Sequence, residues 1–218
     1  MKTAIIFDND GTIVDTEPLH LKARQNICAE FGITLTKENY IKHWMSRPTL
    51  VGIQHTLPSM GPDKQEALVK TVLDEYHRLR EEGLELIPGF RDLLKSLAAR
   101  HFSFAVATVQ PRKSVEHGLG MVLSEEEMSL FKAIVSGEDV RRNKPAPDVW
   151  LVAAAKLGLE PKVCVAVEDS EIGVTSAKAA GMFCIARASE WSPASVLYEA
   201  GADLICRDYK TLAEFLGQ

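Results

Sequence analysis

Short runs of apolar residues alternate with longer amphipathic stretches through most of the chain. Runs of this length, bounded by polar residues and glycine, are typical of strands buried in a parallel sheet. We predict strands at residues 3–7, 102–108, 133–136, 163–167, 182–186 and 203–205. Helical patterns lie between them at residues 90–100, 146–157 and 171–180. This alternation predicts an α/β fold with a parallel sheet covered by helices on both faces.

Residues 16–83 break the alternation, because only helical patterns occur there. Pro18 opens one predicted helix and Gly32 closes it, and a second runs from Pro62 to Gly83. Proline is favoured in the first turn of a helix and glycine just past its end. We therefore expect two domains: a core of residues 1–15 and 84–218, and an inserted helical domain of residues 16–83.

Composition narrows the classes of function. The 218 residues are 46% hydrophobic, which is enough for a substantial core, and the net charge is -5. Nucleic acid favours a basic surface, so we expect no nucleic-acid partner. The four cysteines lack the close spacing of a zinc site or a redox pair, and we expect reduced, structural thiols.

No apolar run has the length of a signal peptide core or a membrane span. We therefore expect a cytoplasmic protein without a membrane partner. We expect a monomer, with a homodimer as the alternative.

An acidic motif follows the first predicted strand: Asp8-Asn9-Asp10-Gly11-Thr12. Side chains two apart on a strand point the same way, so Asp8 and Asp10 should converge, while Gly11 allows a sharp turn. A hard cation such as Mg²⁺, or a proton, relieves the repulsion between two such carboxylates. The alternative is an acidic turn without chemistry.

Polar residues also follow later strands. Thr108 ends the second strand, Lys144 precedes a helix opened by proline, and Glu168 and Asp169 follow the fourth. Each has an ordinary explanation as a strand-end hydroxyl, a solvated lysine or a helix N-cap. Together they supply a hydroxyl, a cation and more carboxylates, which are the parts that phosphoryl transfer needs.

These four segments resemble the four motifs of haloacid dehalogenase-type phosphatases, in their usual order. Residues 15–20, Asp-Thr-Glu-Pro-Leu-His, are similar to the subgroup that includes beta-phosphoglucomutase and phosphoglycolate phosphatase. The resemblance spans nearly the whole chain. It implies a Rossmann-like three-layer core with a helical cap inserted after the first motif.

The resemblance also implies catalytic roles. Asp8 would attack phosphorus and form an aspartyl-phosphate, and Asp10 would protonate the leaving oxygen and then deprotonate water. Thr108 and Lys144 would hold the phosphoryl oxygens. Mg²⁺ would be the cofactor.

Its metal ligands would be Asp8, the backbone carbonyl of Asp10, and Asp169. Glu168 would bind directly or through water.

Four residues are candidates for substrate binding. His20 and Arg47 lie in the predicted cap, where Ser46-Arg47 resembles a Ser-Arg pair of the mutase cap loop. Val109 and Gln110 follow Thr108. The alternatives are a packed helix histidine, a surface arginine and a solvated glutamine. A small phosphorylated metabolite is the expected partner.

The chain departs from the family pattern at Asn9, at residues 109–111 after Thr108, in residues 118–131, and in the cap loop, where Trp44 lies near the place of a missing glycine. An apolar residue is usual at Asn9; a strand would point this side chain away from Asp8 and Asp10, so we expect little effect. Residues 118–131 form a longer segment than is usual. We interpret its acidic run, residues 125–127, as a capping box and solvated helix start.

Asp10 argues against a dehalogenase, which need not protonate halide, and against lysine-imine phosphonate hydrolysis. The helical insertion argues against a non-catalytic phospho-acceptor module. The sequence therefore predicts a Mg²⁺-dependent phosphatase for a sugar, polyol or glycolate phosphate. A hexose-phosphate mutase is the closest alternative.

Overall fold

The computed structural model describes residues 4–45 and 47–217. Thr3, the predicted start of the first strand, and Ser46 lie outside these ranges. The chain divides into two compact units, one of Met1–Asp15 with Glu85–Gln218 and the other of Thr16–Leu84. The division places Leu84 in the second unit, one residue beyond the predicted boundary.

The first unit contains a sheet of six parallel strands: β1 (Ala4–Phe7), β2 (Ser103–Ala107), β3 (Phe131–Val135), β4 (Cys164–Glu168), β5 (Phe183–Arg187) and β6 (Leu204–Cys206). Their order in the sheet is β3-β2-β1-β4-β5-β6. The predicted α/β class with a Rossmann-like parallel sheet is confirmed. Within the described residues, β1 ends at Phe7 as predicted, and the other five strands differ from their predicted ranges by one or two residues, as is usual at element ends.

The second unit is helical in its described part. Its helices are α1 (Glu17–Glu30), α2 (Lys37–His43), α3 (Thr49–Thr56) and α4 (Pro62–Gly83). Proline in the first turn opens both α1 and α4. Val72 and Tyr76 lie on the buried face of α4, at helical spacing.

Seven helices accompany the sheet in the described part of the first unit. They are α5 (Phe90–Ala98), α6 (Arg112–Val122), α7 (Glu125–Ser129), α8 (Asp148–Lys156), α9 (Glu171–Ala179), α10 (Ala194–Glu199) and α11 (Tyr209–Leu216). The predicted helix at 146–157 begins two residues later, because Pro147 occupies the N-cap position.

Both faces of the sheet are covered, so β1 and β4 are buried along their whole length. Small residues such as Ala105 and Ala166 face α8 and α9, whose Trp150 and Val174 join the same core cluster. Aromatic rings fill the opposite face: Phe7 meets Phe90 edge-on, at 5.3 Å between centroids.

Strand order reverses at β1, which pairs with β2 on one side and β4 on the other. Connections leave the sheet in opposite directions at such a point and open a crevice beyond the carboxyl ends of the strands. The fold therefore places a ligand crevice at the end of β1.

The predicted capping box is confirmed, and one part of that prediction is wrong. Ser124 Oγ accepts the Glu127 backbone N–H, and the Glu127 carboxylate accepts the Ser124 N–H. Glu127 is buried rather than solvated, because it also pairs with Arg91 at 2.8 Å.

All four cysteines are free and buried, as predicted. Within the described ranges, no helix combines the length and apolar character needed to cross a membrane.

Candidate active site

Strand ends bring the sequence motifs together at the carboxyl edge of the sheet. Asp8 follows β1, Thr108 follows β2, and Glu168 is the last residue of β4. The sheet ladder continues past the strands, because the Asp8 N–H donates to the Val167 carbonyl at 2.9 Å. These side chains therefore start from fixed backbone positions.

Lys144 lies at the centre of the site. Its Nζ donates to Asp8 Oδ1 and to Glu168 Oε1, each at 2.6 Å. The ammonium also lies 4.6 Å from the centroid of the Trp150 ring. The Lys144 side chain is 6% exposed, so little water competes for these contacts. A loop lysine is thus held as a fixed cation between two carboxylates.

Glu168 is anchored by the turn that follows β4. Its Oε2 accepts the Asp169 N–H at 2.8 Å, the Ser170 N–H at 2.9 Å and the Ser170 hydroxyl at 3.0 Å. A Cβ on Gly173 would lie 1.7 Å from Glu168 Oε1, so glycine is required there. These contacts orient Glu168 towards Lys144.

Three buried carboxylates form a cluster beside the lysine. Asp8, Glu168 and Asp169 each offer a ligand atom, and these atoms lie within 4.8 Å of one another. Gly11, at φ 74°, allows this approach, since a Cβ there would lie 2.1 Å from Asp169 Oδ2. Clustered carboxylate oxygens match the ligand preference of Mg²⁺, so the residues fit the predicted cofactor.

Burial and neighbouring acids perturb the charges of the site. Burial raises the pKa of Asp8 to about 7; Lys144 opposes this, while Glu168 and Asp10 add to it. Burial alone would lower the pKa of Lys144, but Asp8 and Glu168 raise it above the ordinary lysine value. A bound divalent cation would favour the ionised form of Asp8.

The predicted direction of the Asn9 side chain is wrong. Its Nδ2 donates to Asp10 Oδ2 at 3.2 Å, so the side chain contacts the predicted acid/base instead of pointing away. The strand β1 ends at Phe7, and the chain turns beyond it. Strand alternation therefore does not apply to residues 8–10.

The Thr108 region is a tight loop. Thr108 is fully buried, and its Oγ1 accepts the Gln110 N–H at 3.2 Å. Val109 is exposed and Gln110 is half-buried. Substrate binding by Val109 and Gln110 stays a prediction.

Two residues that the sequence did not single out hold the acidic motif. Arg187, the last residue of β5, donates its Nε and Nη2 to the Gly11 carbonyl at 2.9 and 2.7 Å. The Tyr209 hydroxyl donates to the Thr12 carbonyl. A strand-end rule would have found Arg187, whereas Tyr209 follows no comparable pattern.

His20 and Arg47 belong to the second unit. The His20 ring stacks on Tyr76 at 3.9 Å between centroids, and its Nδ1 lies 3.1 Å from Arg24 Nη1. Burial lowers the pKa of His20 to about 3, and Arg24 lowers it further. The imidazole is therefore neutral at pH 7. Arg47 is exposed, and its sequence neighbour Ser46 lies outside the described residues. Substrate binding by both stays a prediction.

Comparison with known proteins agrees with this geometry. The family model of haloacid dehalogenase-like hydrolases matches residues 5–187. Protein CbbY of Rhodobacter capsulatus is 32% identical, with 95% of this chain and 91% of that protein covered. Hexitol phosphatase B of Escherichia coli K12 is also 32% identical, with 82% and 80% covered. The crystal structure of CbbY from Rhodobacter sphaeroides in complex with phosphate has a TM-score of 0.77 and 28% identity, covering 97% of this chain and 96% of that one.

Proposed function

Because the chain belongs to the haloacid dehalogenase-like hydrolase family, we propose that it is a Mg²⁺-dependent phosphatase acting through an aspartyl-phosphate on Asp8. Its substrate is a small phosphorylated metabolite, a sugar, polyol or glycolate phosphate. Hexitol phosphatase B supports the phosphoric monoester class and a polyol phosphate as substrate.

One observation carries the proposal: Asp8 lies at the end of the central strand and is held by Lys144 at 2.6 Å. Phosphoryl transfer requires a positioned nucleophile and positive charge near the phosphoryl oxygens. Lys144 meets both requirements. It holds the Asp8 carboxylate, which is the nucleophile, in place, and its own buried ammonium is the positive charge beside it.

In the first step, an Asp8 oxygen attacks phosphorus and the bond to the leaving oxygen breaks. Asp10 gives its proton to that oxygen, so an alcohol leaves rather than an alkoxide. Lys144 and the Thr108 hydroxyl hold the phosphoryl oxygens. The product of this step is an acyl phosphate on Asp8.

In the second step, Asp10 removes a proton from water, which attacks phosphorus. The bond to the Asp8 oxygen breaks, inorganic phosphate leaves, and both carboxylates return to their starting forms. The same carboxyl group thus acts first as acid and then as base.

Asp8, the Asp10 carbonyl and Asp169 would hold Mg²⁺, which supplies charge neutralisation at the phosphoryl group when bound. Glu168 contributes negative charge directly or through water. The hydrogen bonds of its carboxylate to Lys144 and the following turn favour the contact through water.

The test is a screen of hexitol, hexose and glycolate phosphates for release of inorganic phosphate, with Mg²⁺ and with Asp8→Asn as a control. We expect release by the natural protein and none by the variant. Near-normal release by a folded Asp8→Asn variant would disprove the role of Asp8, and the absence of release from every substrate would disprove the phosphatase.

The same assay separates the mutase alternative. Beta-glucose 1-phosphate is supplied with a trace of the 1,6-bisphosphate, and both free phosphate and glucose 6-phosphate are followed. Fast formation of glucose 6-phosphate with little free phosphate would replace the phosphatase with a mutase.

A further inference from the structure

The side chain of Asn9 is buried beside the predicted acid/base. Its backbone is fixed, because the Asn9 carbonyl accepts N–H groups from Thr12, Ile13 and Val14 at 2.8 to 3.3 Å. The residue is only 3% exposed, and its Nδ2 reaches Asp10 Oδ2 at 3.2 Å. A rigid turn therefore holds an amide donor against the Asp10 carboxylate.

The oxygen of the Asn9 side-chain amide does not contribute to stability through a hydrogen bond within the described chain. This oxygen, Oδ1, is buried and accepts no hydrogen bond from any described residue. An unpaired buried oxygen costs about 1–3 kcal/mol. An apolar side chain of similar size would avoid that cost, so the contact with Asp10 is the one benefit that the side chain shows.

We infer that Asn9 is a positioning residue for Asp10, and this inference rests on the proposed function. Asn9 restrains the Asp10 carboxylate by its Oδ2, so that the other oxygen keeps a constant direction for proton transfer to the leaving group. Proton transfer is sensitive to such restraint, since a misplacement of about 1 Å lowers a rate by about 10²-fold.

A leaving-group comparison distinguishes this role from a structural one. An alkyl phosphate needs a proton on its leaving oxygen, whereas p-nitrophenolate leaves readily without one. The ratio kcat/KM reports steps up to the first phosphoryl transfer, so later hydrolysis of the acyl phosphate does not affect the comparison. The substrates are a hexitol phosphate and p-nitrophenyl phosphate.

We expect Asn9→Leu to lower kcat/KM on the hexitol phosphate by about 10- to 100-fold, as for loss of a hydrogen bond to a charged group. The loss on p-nitrophenyl phosphate should be below about 3-fold, because that substrate does not depend on the acid. The urea midpoint of unfolding should stay constant or rise, because the variant removes the unpaired Oδ1. If leucine prevents folding, Asn9→Ala is measured on the same substrates, since alanine cannot overpack the site.

Two further variants complete the design. Asp10→Asn should show the same substrate pattern with a larger loss. Asn26→Leu is a matched control in the second unit, because it removes a similar amide-to-carboxylate bond, from Nδ2 to Glu75 Oε1 at 2.6 Å. Asn26→Leu should lower the urea midpoint of unfolding, and it should not change the ratio of kcat/KM between the two substrates.

Equal losses on both substrates, or no loss, in Asn9→Leu and Asn9→Ala would overturn the positioning role while leaving the phosphatase intact. If neither p-nitrophenyl phosphate nor any alkyl phosphate of the screen released phosphate, the proposed function itself would fail; if another alkyl phosphate of the screen is the better substrate, it takes the place of the hexitol phosphate in the comparison. If Asp10→Asn lost activity equally on both substrates, the role of Asp10 as the general acid would be disproved, and with it the role of Asn9.

Discussion

The two units use their charged residues in different ways. In the first, Lys144 lies between Asp8 and Glu168 at 2.6 Å, and all three side chains are nearly inaccessible to water. In the second, the ion pair of Lys70 with Asp74 has side chains that are 82% and 61% exposed. The surface pair is an ordinary solvated contact, whereas the buried triad repays its desolvation only if every partner is present.

The residues proposed for catalysis and those proposed for substrate selection differ in the same way. The buried charges at the strand ends belong to motifs that follow strands, so the fold itself sets their positions. The candidate substrate-binding residues of the second unit do not follow strands. His20 is a neutral ring stacked on Tyr76, and Arg47 is exposed. A sequence motif can therefore predict a reaction class more readily than a substrate.

Removal of Mg²⁺ should have the largest effect on activity. Chelator followed by dialysis should abolish phosphate release, because the Asp8, Glu168 and Asp169 cluster would lack its neutralising cation. Asp169→Asn should raise the Mg²⁺ concentration needed for half-maximal activity. Asp63→Asn, an exposed change in the second unit, is the control and should match the natural protein. Full activity in chelator would contradict the metal requirement.

Loss of the central lysine should come next. Lys144→Met should lower kcat about 10²- to 10³-fold, as for removal of one group that stabilises the transition state. It should also lower the free energy of unfolding by about 3 kcal/mol, because Asp8 and Glu168 would stay buried without their cation. Urea denaturation measures the second effect.

Lys70→Met tests the contrast directly, since it breaks the exposed pair with Asp74. Its free energy of unfolding should change by less than about 1 kcal/mol, with activity unchanged. Similar destabilisation by the two lysine changes would show that the burial of the Lys144 ion pairs adds nothing to their effect on stability.

Much of the fold and part of the site could be predicted from local patterns. The sheet follows from apolar runs, and the gathering of Asp8, Glu168 and Asp169 follows from the rule that parallel strands end at one edge. The sequence predicts Gly11 as a turn residue, and the structure adds that its missing side chain makes room for Asp169. Local sequence patterns thus predict which carboxylates lie together at the edge of the sheet.

The contacts that support the site could not be predicted in the same way. The strand-end rule indicates Arg187 as a candidate but not its partner, because Arg187 and Gly11 are 176 residues apart in sequence and nothing local pairs them. The direction of the Asn9 side chain differs from the prediction for another reason: β1 ends at Phe7, so the alternation of a strand does not reach residue 9. Long-range contacts and the exact end of a strand depend on packing, which a single sequence does not display.

A smaller effect is expected in the second unit. Arg47→Ala should raise KM about 10-fold with little change in kcat, as for loss of one charge-assisted contact that is equally strong in the ground and transition states. The assay compares a substrate with a second anionic group and one without it. A fall in kcat with constant KM would instead assign Arg47 to the chemical step.

The smallest effects should come from helix N-caps, which test whether the two units differ away from the site. Ser124 Oγ accepts the Glu127 N–H in a full capping box, whereas Thr36 Oγ1 accepts the Asn39 N–H. Either change to alanine should cost about 1 kcal/mol of unfolding free energy. Ser124→Ala should cost more, because Glu127 is buried and also pairs with Arg91. Urea denaturation measures both variants, and kcat should stay constant in each. A larger cost for Thr36→Ala would show that the second unit depends on its caps more than the first does.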